Sequence, residues 1–379
     1  MNKINIRWVG AFADSSGYAV ATRGYIEGLL TSEEIELTLS SPSFEIEKTT
    51  HGKIDDEINR LINRPLYYQI QIIHLTPENF PLYSNKDIYT IGLTTWETDR
   101  LPPQWVELCN SMNEIWVPST WNKKVFLSSG VTCPITVIPH GVSLPDITNI
   151  RYLNFEVGDS TYLFYSIFQW LERKAPQRLL LAYLSEFKPE EDVCLALKTY
   201  RLNTSLQEQT IIKQEISSLK ESMRLKKYPA LRFLGGLLSD EFMMGLHERG
   251  DCMVFPTRAE GFSLTAAAAM SHGNPVITTN YSGHLDFINK TNSYLIDYQE
   301  TPVCNMLFPL YTGDMIWAEP DVVHLRKLMR FCFENQEKAI KVGKRAQKDI
   351  AENLNWKKVT SMIVNRLKEI QLTIGTNEL

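Results

Sequence analysis

Between Asp251 and His284 the chain reads DCMVFPTRAEGFSLTAAAAMSHGNPVITTNYSGH, and no other stretch constrains its fold as much. The apolar run from Cys252 to Phe255 has the length and make-up of a buried strand and is closed by Pro256. A loop carrying Arg258, Glu260 and Gly261 follows, and Leu264 to Met270 is an alanine-rich helical segment. After His272 and Gly273, Pro275 to Thr278 reads as a second strand, and another loop passes Ser282 and Gly283. Strand alternating with helix is the pattern of an α/β sheet.

A helix that starts near Phe262 and Ser263, directly after a strand, leaves its first N–H groups unpaired above the sheet edge. Those donors and the positive end of the helix dipole favour an anion such as phosphate. Gly261 lets a ligand come close to the backbone, and Ser263 can cap the helix or donate to an oxygen. A well-packed strand-loop-helix with an ordinary serine cap accounts for the same residues.

Glu260-Gly261-Phe262-Ser263-Leu264, then Ala269-Met270, then Gly273-Asn274-Pro275-Val276-Ile277, resembles the signature of the GT-B glycosyltransferases of retaining family 4. That signature places a second Glu eight positions after the first, where this chain has Ala268. The resemblance implies that Glu260 holds hydroxyls of a donor sugar and that the amides of Gly261, Phe262 and Ser263, with Leu264 beside them, hold its diphosphate. The ribose contact of the second Glu does not carry over, and Asp286 is a candidate substitute.

A chain of 379 residues suggests two domains of ordinary size. With 39 Lys and Arg against 44 Asp and Glu there is no basic surplus to neutralise nucleic-acid phosphates. No apolar stretch approaches the roughly 20 residues of a membrane span. MNKINIRWVGAF has no secretory apolar core, so a cytoplasmic protein is expected, with a peripheral membrane position left open. The six cysteines are widely spaced without a CxxC and read as reduced, buried thiols.

Taken in order, Lys3 to Val9 is the expected first strand, Gly10 to Gly17 its loop and Tyr18 to Leu30 a helix. A Gly-bearing loop in that place is where doubly wound sheets hold ligands. Neither GxGxxG nor a P-loop occurs, which counts against a dinucleotide enzyme or an NTPase. The resemblance assigns Gly17, within SerGlyTyrAla, to donor binding. Glu97 and Asp99 follow a strand expected at 88–93; the resemblance makes them candidates for an acid beside the sugar, and a cap or a salt bridge accounts for them equally well. His140, at the expected exit from the first domain, is a lower-ranked candidate for facing a cleft.

Residues 143–160, with Pro145, Asp146 and Gly158, read as the linker. An apolar strand at 162–168 leads to Arg173 and Lys174, which the resemblance assigns to the donor diphosphate, although Gln169 stands where an earlier Arg is expected. A helix is expected at 206–227, and Ser239 fits a helix start. The resemblance puts the Gly turn around Gly236 beside the nucleotide base. One helix is expected from Trp317 to about Glu334 and another from Gln336 to Asn353. Trp356, Val359, Ile363, Leu367 and Ile370 mark one face of a terminal amphipathic helix.

The expected architecture is GT-B, two Rossmann-like doubly wound domains facing a cleft. Residues 1–148, joined by helix 356–373, form the acceptor domain, and 155–355 form the donor domain. The implied activity is a retaining, metal-independent glycosyltransferase, since no Asp-x-Asp clasp is present. No cofactor is implied. The donor is a nucleotide-diphosphate sugar, UDP- or GDP-linked, and the acceptor a glycan, protein or small molecule. Ala268 also admits a non-catalytic GT-B subunit that partners an active transferase.

Overall fold

The computed structural model describes residues 3–14, 16–42, 53–145, 148, 150–304 and 309–377. Asp146 of the expected linker lies outside them. The chain forms two compact units, residues 1–143 with 353–379, and residues 144–352.

The first unit carries β1 (Ile4–Gly10), β2 (Ile35–Ser40), β3 (Ile70–His74), β4 (Tyr89–Leu93), β5 (Glu114–Val117) and β6 (Ile135–Val137). They form a parallel sheet in the order β2-β1-β3-β4-β5-β6. Every residue of β3 is buried, as expected of a strand covered on both faces. The strand order reverses between β1 and β3, so their following loops diverge and leave a crevice. The Gly17–Leu30 helix starts there, with the Ser16 hydroxyl accepting from the Ala19 amide.

The terminal Trp356–Asn377 helix belongs to this unit. Val359, Ile363, Leu367 and Ile370 are buried along one of its faces. A Cβ on Gly24 or Gly141 would strike the Trp356 ring, and one on Gly28 would strike the Thr360 hydroxyl. These glycines let the helix lie close to its neighbours. Arg366 grips the fully buried Glu114 with two bonds, Nε to Oε1 at 3.0 Å and Nη2 to Oε2 at 2.8 Å.

The second unit carries β7 (Tyr162–Gln169), β8 (Val193–Tyr200), β9 (Ala230–Leu234), β10 (Cys252–Phe255), β11 (Val276–Thr279) and β12 (Tyr294–Ile296). Its parallel sheet has the order β12-β11-β10-β7-β8-β9, a doubly wound arrangement whose reversal falls between β7 and β10. An antiparallel pair, β13 (Tyr298–Pro302) and β14 (Ile316–Pro320), forms a separate two-stranded sheet.

β14 corrects the helix expected to begin at Trp317. Trp317 lies opposite Thr301 in the antiparallel pair, and Pro320 biases the residue before it toward extended backbone. The helix begins only at Val322, where the Asp321 carboxylate accepts from the Val323 and His324 amides. The 206–227 helix is shorter than expected, ending at Met223 as Arg224 turns left-handed. Ser239 stands at a helix start, but its hydroxyl donates to the Glu241 carboxylate instead of accepting from a backbone amide. All six cysteines are free, yet Cys133 is only half-buried and Cys304 is exposed, so burial does not extend to the whole set.

Candidate active site

In the second unit the strands flanking the reversal, β7 and β10, run side by side into two loops. The β7 loop makes a single 3-10 turn, Glu172–Lys174, and Ala175 takes a left-handed conformation (φ 51°) before the Pro176–Glu186 helix. The β10 loop is tied to it through the backbone, since the Arg258 amide donates to the Arg173 carbonyl at 2.7 Å. Arg258 is buried at 5% exposure, ion-paired to Glu172 at 2.9 Å and to Glu319 of β14 at 2.6 Å. Its guanidinium also stacks on the Trp317 ring. One buried arginine therefore fixes both loops to each other and to the two-stranded sheet.

This scaffold brings Arg173, Lys174 and Glu260 together. Glu260 Oε1 accepts from Arg173 Nη1 at 3.0 Å, from Lys174 Nζ at 2.6 Å and from Thr257 Oγ1 at 2.7 Å. Its other oxygen, Oε2, takes no hydrogen bond from the described residues, which leaves lone pairs for a ligand. Burial pushes the carboxyl pKa up, but Lys174 and Arg173 outweigh it and hold the group at about 2. One carboxylate against two cations leaves the trio at net +1, suited to an anionic ligand.

The Glu260 backbone is held as firmly as its side chain. Its amide donates to Ser282 Oγ at 2.8 Å, and its carbonyl accepts from the Gly283 amide at 2.8 Å. Ser282 (φ 76°) and Ser263 (φ 82°) have positive φ, as Ala175 does. Such conformations cost about 1–3 kcal/mol each and gather at functional sites.

Ser263 precedes the Leu264–Ser271 helix but does not cap it, contrary to one of its two expected roles. Its left-handed backbone turns the hydroxyl away from the helix amides, and Oγ is sealed without a partner. His284, fully buried in the turn after β11, donates from Nε2 to the Thr279 carbonyl at 2.7 Å. Its Nδ1 is likewise sealed and unpartnered. Two orphaned polar atoms beside a charged trio suit a polar, oxygen-rich ligand.

The remaining candidates are not part of the charged trio. Gly261 and Phe262 are buried in the β10 loop, Phe262 against Phe287 at 5.0 Å between ring centroids, and Leu264 is half-buried. Asp286 is exposed at the end of the His284 turn, and Ala268 is half-buried on the Leu264–Ser271 helix. Gly236 is exposed after β9, and an added Cβ would meet nothing there. Gly17, Glu97 and His140 belong to the first unit. Gly17 is exposed with open space around it, Glu97 is half-buried after β4, and Asp99 pairs with Arg100 at 3.2 Å. His140 Nδ1 meets the Tyr25 hydroxyl at 2.9 Å, and burial pushes its pKa down to about 3.

Sequence reasoning gave no role to Thr257, Arg258, Ser282, His284 or His74. His74 ends β3 at the first unit's reversal, with Nδ1 2.7 Å from Thr22 Oγ1 and its ring 6.3 Å from that of His140. A histidine closing a largely apolar strand is the one signal that pointed to it. Among the described residues, no group of three or more His, Cys, Asp or Glu is placed to hold a metal ion.

Residues 180–303 match the family model described as Glycosyl transferases group 1. A sucrose synthase of Melioribacter roseus is 28% identical over 167 residues, which are 41% of this chain and 18% of that protein. Among solved structures, Anabaena HepE in complex with UDP and glucose superposes with a TM-score of 0.69 at 13% identity, covering 97% of this chain and all of that one. Sucrose-phosphate synthase from Thermosynechococcus elongatus gives 0.70 at 11% identity, covering 98% and 100%. A glycosyltransferase from Rickettsia africae gives 0.66 at 17%, covering 98% and 99%. The fold is GT-B, and within the second unit residues 180–303 are similar to the glycosyl transferases group 1 model.

Proposed function

We propose that the chain is a retaining, metal-independent glycosyltransferase that moves a sugar from a UDP- or GDP-sugar to an acceptor hydroxyl. The observation that carries this reading is the Arg173-Lys174-Glu260 trio, with one carboxylate oxygen shared by both cations and the other open. A donor diphosphate seated on the Gly261–Ser263 amides takes the two cations as its counter-charge. Glu260 Oε2 then faces the hydroxyls of the attached sugar. The chain's likeness in fold to a protein crystallised with UDP and glucose supports a nucleotide-sugar donor.

In the reaction the bond from the anomeric carbon to the diphosphate oxygen breaks, and the acceptor oxygen bonds to the same face. The acceptor proton passes to the departing phosphate oxygen, so Glu260 orients the sugar and is not required as a base. Arg173 and Lys174 balance the charge that develops on the diphosphate as it leaves. The ribose lacks the carboxylate that Ala268 replaces, and Asp286, exposed two residues past His284, is a candidate to contact it.

Titration calorimetry with UDP, GDP, ADP and CMP and their sugars tests this on the full chain. One nucleotide sugar is expected to bind wild type more tightly than its nucleotide, with Glu260→Ala losing mainly that sugar increment. The loss expected is about ten-fold or more, the worth of one charged hydrogen bond. Absence of any nucleotide binding sinks the reading and puts the non-catalytic partner subunit, which Ala268 also fits, in its place.

A further inference from the structure

The same sheet face carries a lysine that the trio does not use. Lys198 lies near the C-terminal end of β8, abreast of Ile167 on β7 and Leu234 on β9. On the other side of β7, Ser166 Oγ bonds the Val254 carbonyl, and continuing that register sets Phe255 beside Ile167. Residues abreast in a parallel sheet point to one face, so Phe255, Ile167 and Lys198 form a row. Lys174 Nζ stands over the Phe255 ring, 5.1 Å from its centroid, on that face. Two strand spacings, roughly 10 Å, separate the two lysines along the row.

Lys198 is 7% exposed and makes no hydrogen bond or ion pair with the described residues. A largely buried lysine without a partner is costly, and burial alone pushes its pKa down to about 8. Nothing in the fold requires a lysine there, since both strand neighbours, Ile167 and Leu234, are apolar. Its three donors and lack of an acceptor make it complementary to an oxygen that only accepts.

The order of groups along the strand ends says what that oxygen belongs to. Glu260, Ser282 and His284 follow β10 and β11, while Arg173 and Lys174 follow β7. A donor whose sugar lies over the first set and diphosphate over the second must continue its nucleoside over β8, toward Gly236 after β9.

We infer that Lys198 reads the nucleobase of the donor, donating to a ring carbonyl oxygen and so favouring uracil or guanine over adenine, whose outward edge offers an amine. This inference rests on the nucleotide-sugar reading above.

The test is titration calorimetry of the full chain with UDP, GDP, ADP and inorganic pyrophosphate, on wild type, Lys198→Met and Lys198→Arg. Methionine keeps the length and suits an apolar site, and the melting temperature of each variant checks folding. Wild type is expected to bind UDP or GDP at least about ten-fold more tightly than ADP, the worth of a charged hydrogen bond. Lys198→Met should remove most of that preference while pyrophosphate affinity stays unchanged, and Lys198→Arg should keep part of it. Equal losses for all four ligands would mean a phosphate contact and overturn the inference, as would unchanged affinities or a wild-type preference for ADP. Absence of all nucleotide binding to wild type overturns the donor reading itself, an outcome distinct from normal binding that Lys198→Met leaves intact.

Discussion

Glu260 concentrates the chemistry of the second unit in one side chain, and its ionisation has a measurable signature. Its carboxyl is held at about 2 against an ordinary 4.5 by Lys174 and Arg173, which overcome the penalty of burial. A depressed carboxyl stabilises the folded state fully above the ordinary value, and that contribution is lost as pH falls from 4.5 toward 2. At neutral pH it is worth roughly 3 kcal/mol. Glu260→Gln should therefore lower stability at pH 7, with the gap to wild type closing below pH 4.5. Denaturant midpoints of both proteins across that range measure it, and a gap independent of pH would refute the assignment. Arg173, Lys174 and Glu260 were legible in the sequence because the stretches that carry them resemble the family 4 pattern. Thr257, Ser282 and His284 were not. Small polar residues and a lone histidine occur in any loop, and only the fold shows Ser282 under the Glu260 amide and His284 Nδ1 sealed without a partner.

At the scale of elements, periodicity located the terminal helix and missed β14. The spacing of Val359, Ile363, Leu367 and Ile370 fixes one buried face whatever that face meets. Trp317 and Ile316 have no such pattern, and only pairing with the preceding strand, β13, makes them a strand. The partner of Arg366 was equally invisible, since Glu114 lies 252 positions away. That ion pair is open to test because Glu114 is fully buried at its end. Arg366→Leu strands an uncompensated carboxylate and should cost about 3–5 kcal/mol. Adding Glu114→Gln should recover much of the loss. Urea midpoints of the two single variants and the double variant decide it, and a cost under about 1 kcal/mol would mark the pair as an ordinary surface bridge.

For the molecule as a whole, acid is the shared weakness of both units. His140 in the first and His247 in the second are buried, and burial pushes each down to about 3 from an ordinary 6.5. His74 is likewise pushed well below 6.5 by burial and by His140. Each binds a proton in the unfolded chain before the folded one, so stability should fall as pH drops from 6.5 toward 3. Thermal midpoints measured at half-unit steps should decline across that window, and a flat profile above pH 4 would show that these rings protonate without unfolding. The placement of the terminal helix has a consequence during synthesis. The second unit, residues 144–352, is translated entirely before residues 353–379 appear, yet the first unit needs them. Until they leave the ribosome, the nascent chain displays the groove at Gly24, Gly28 and Gly141 and a carboxylate at Glu114 with no arginine to meet it. The half that begins first is thus completed last, and a chain stalled or cleaved before Trp356 presents that uncovered groove to chaperones and proteases.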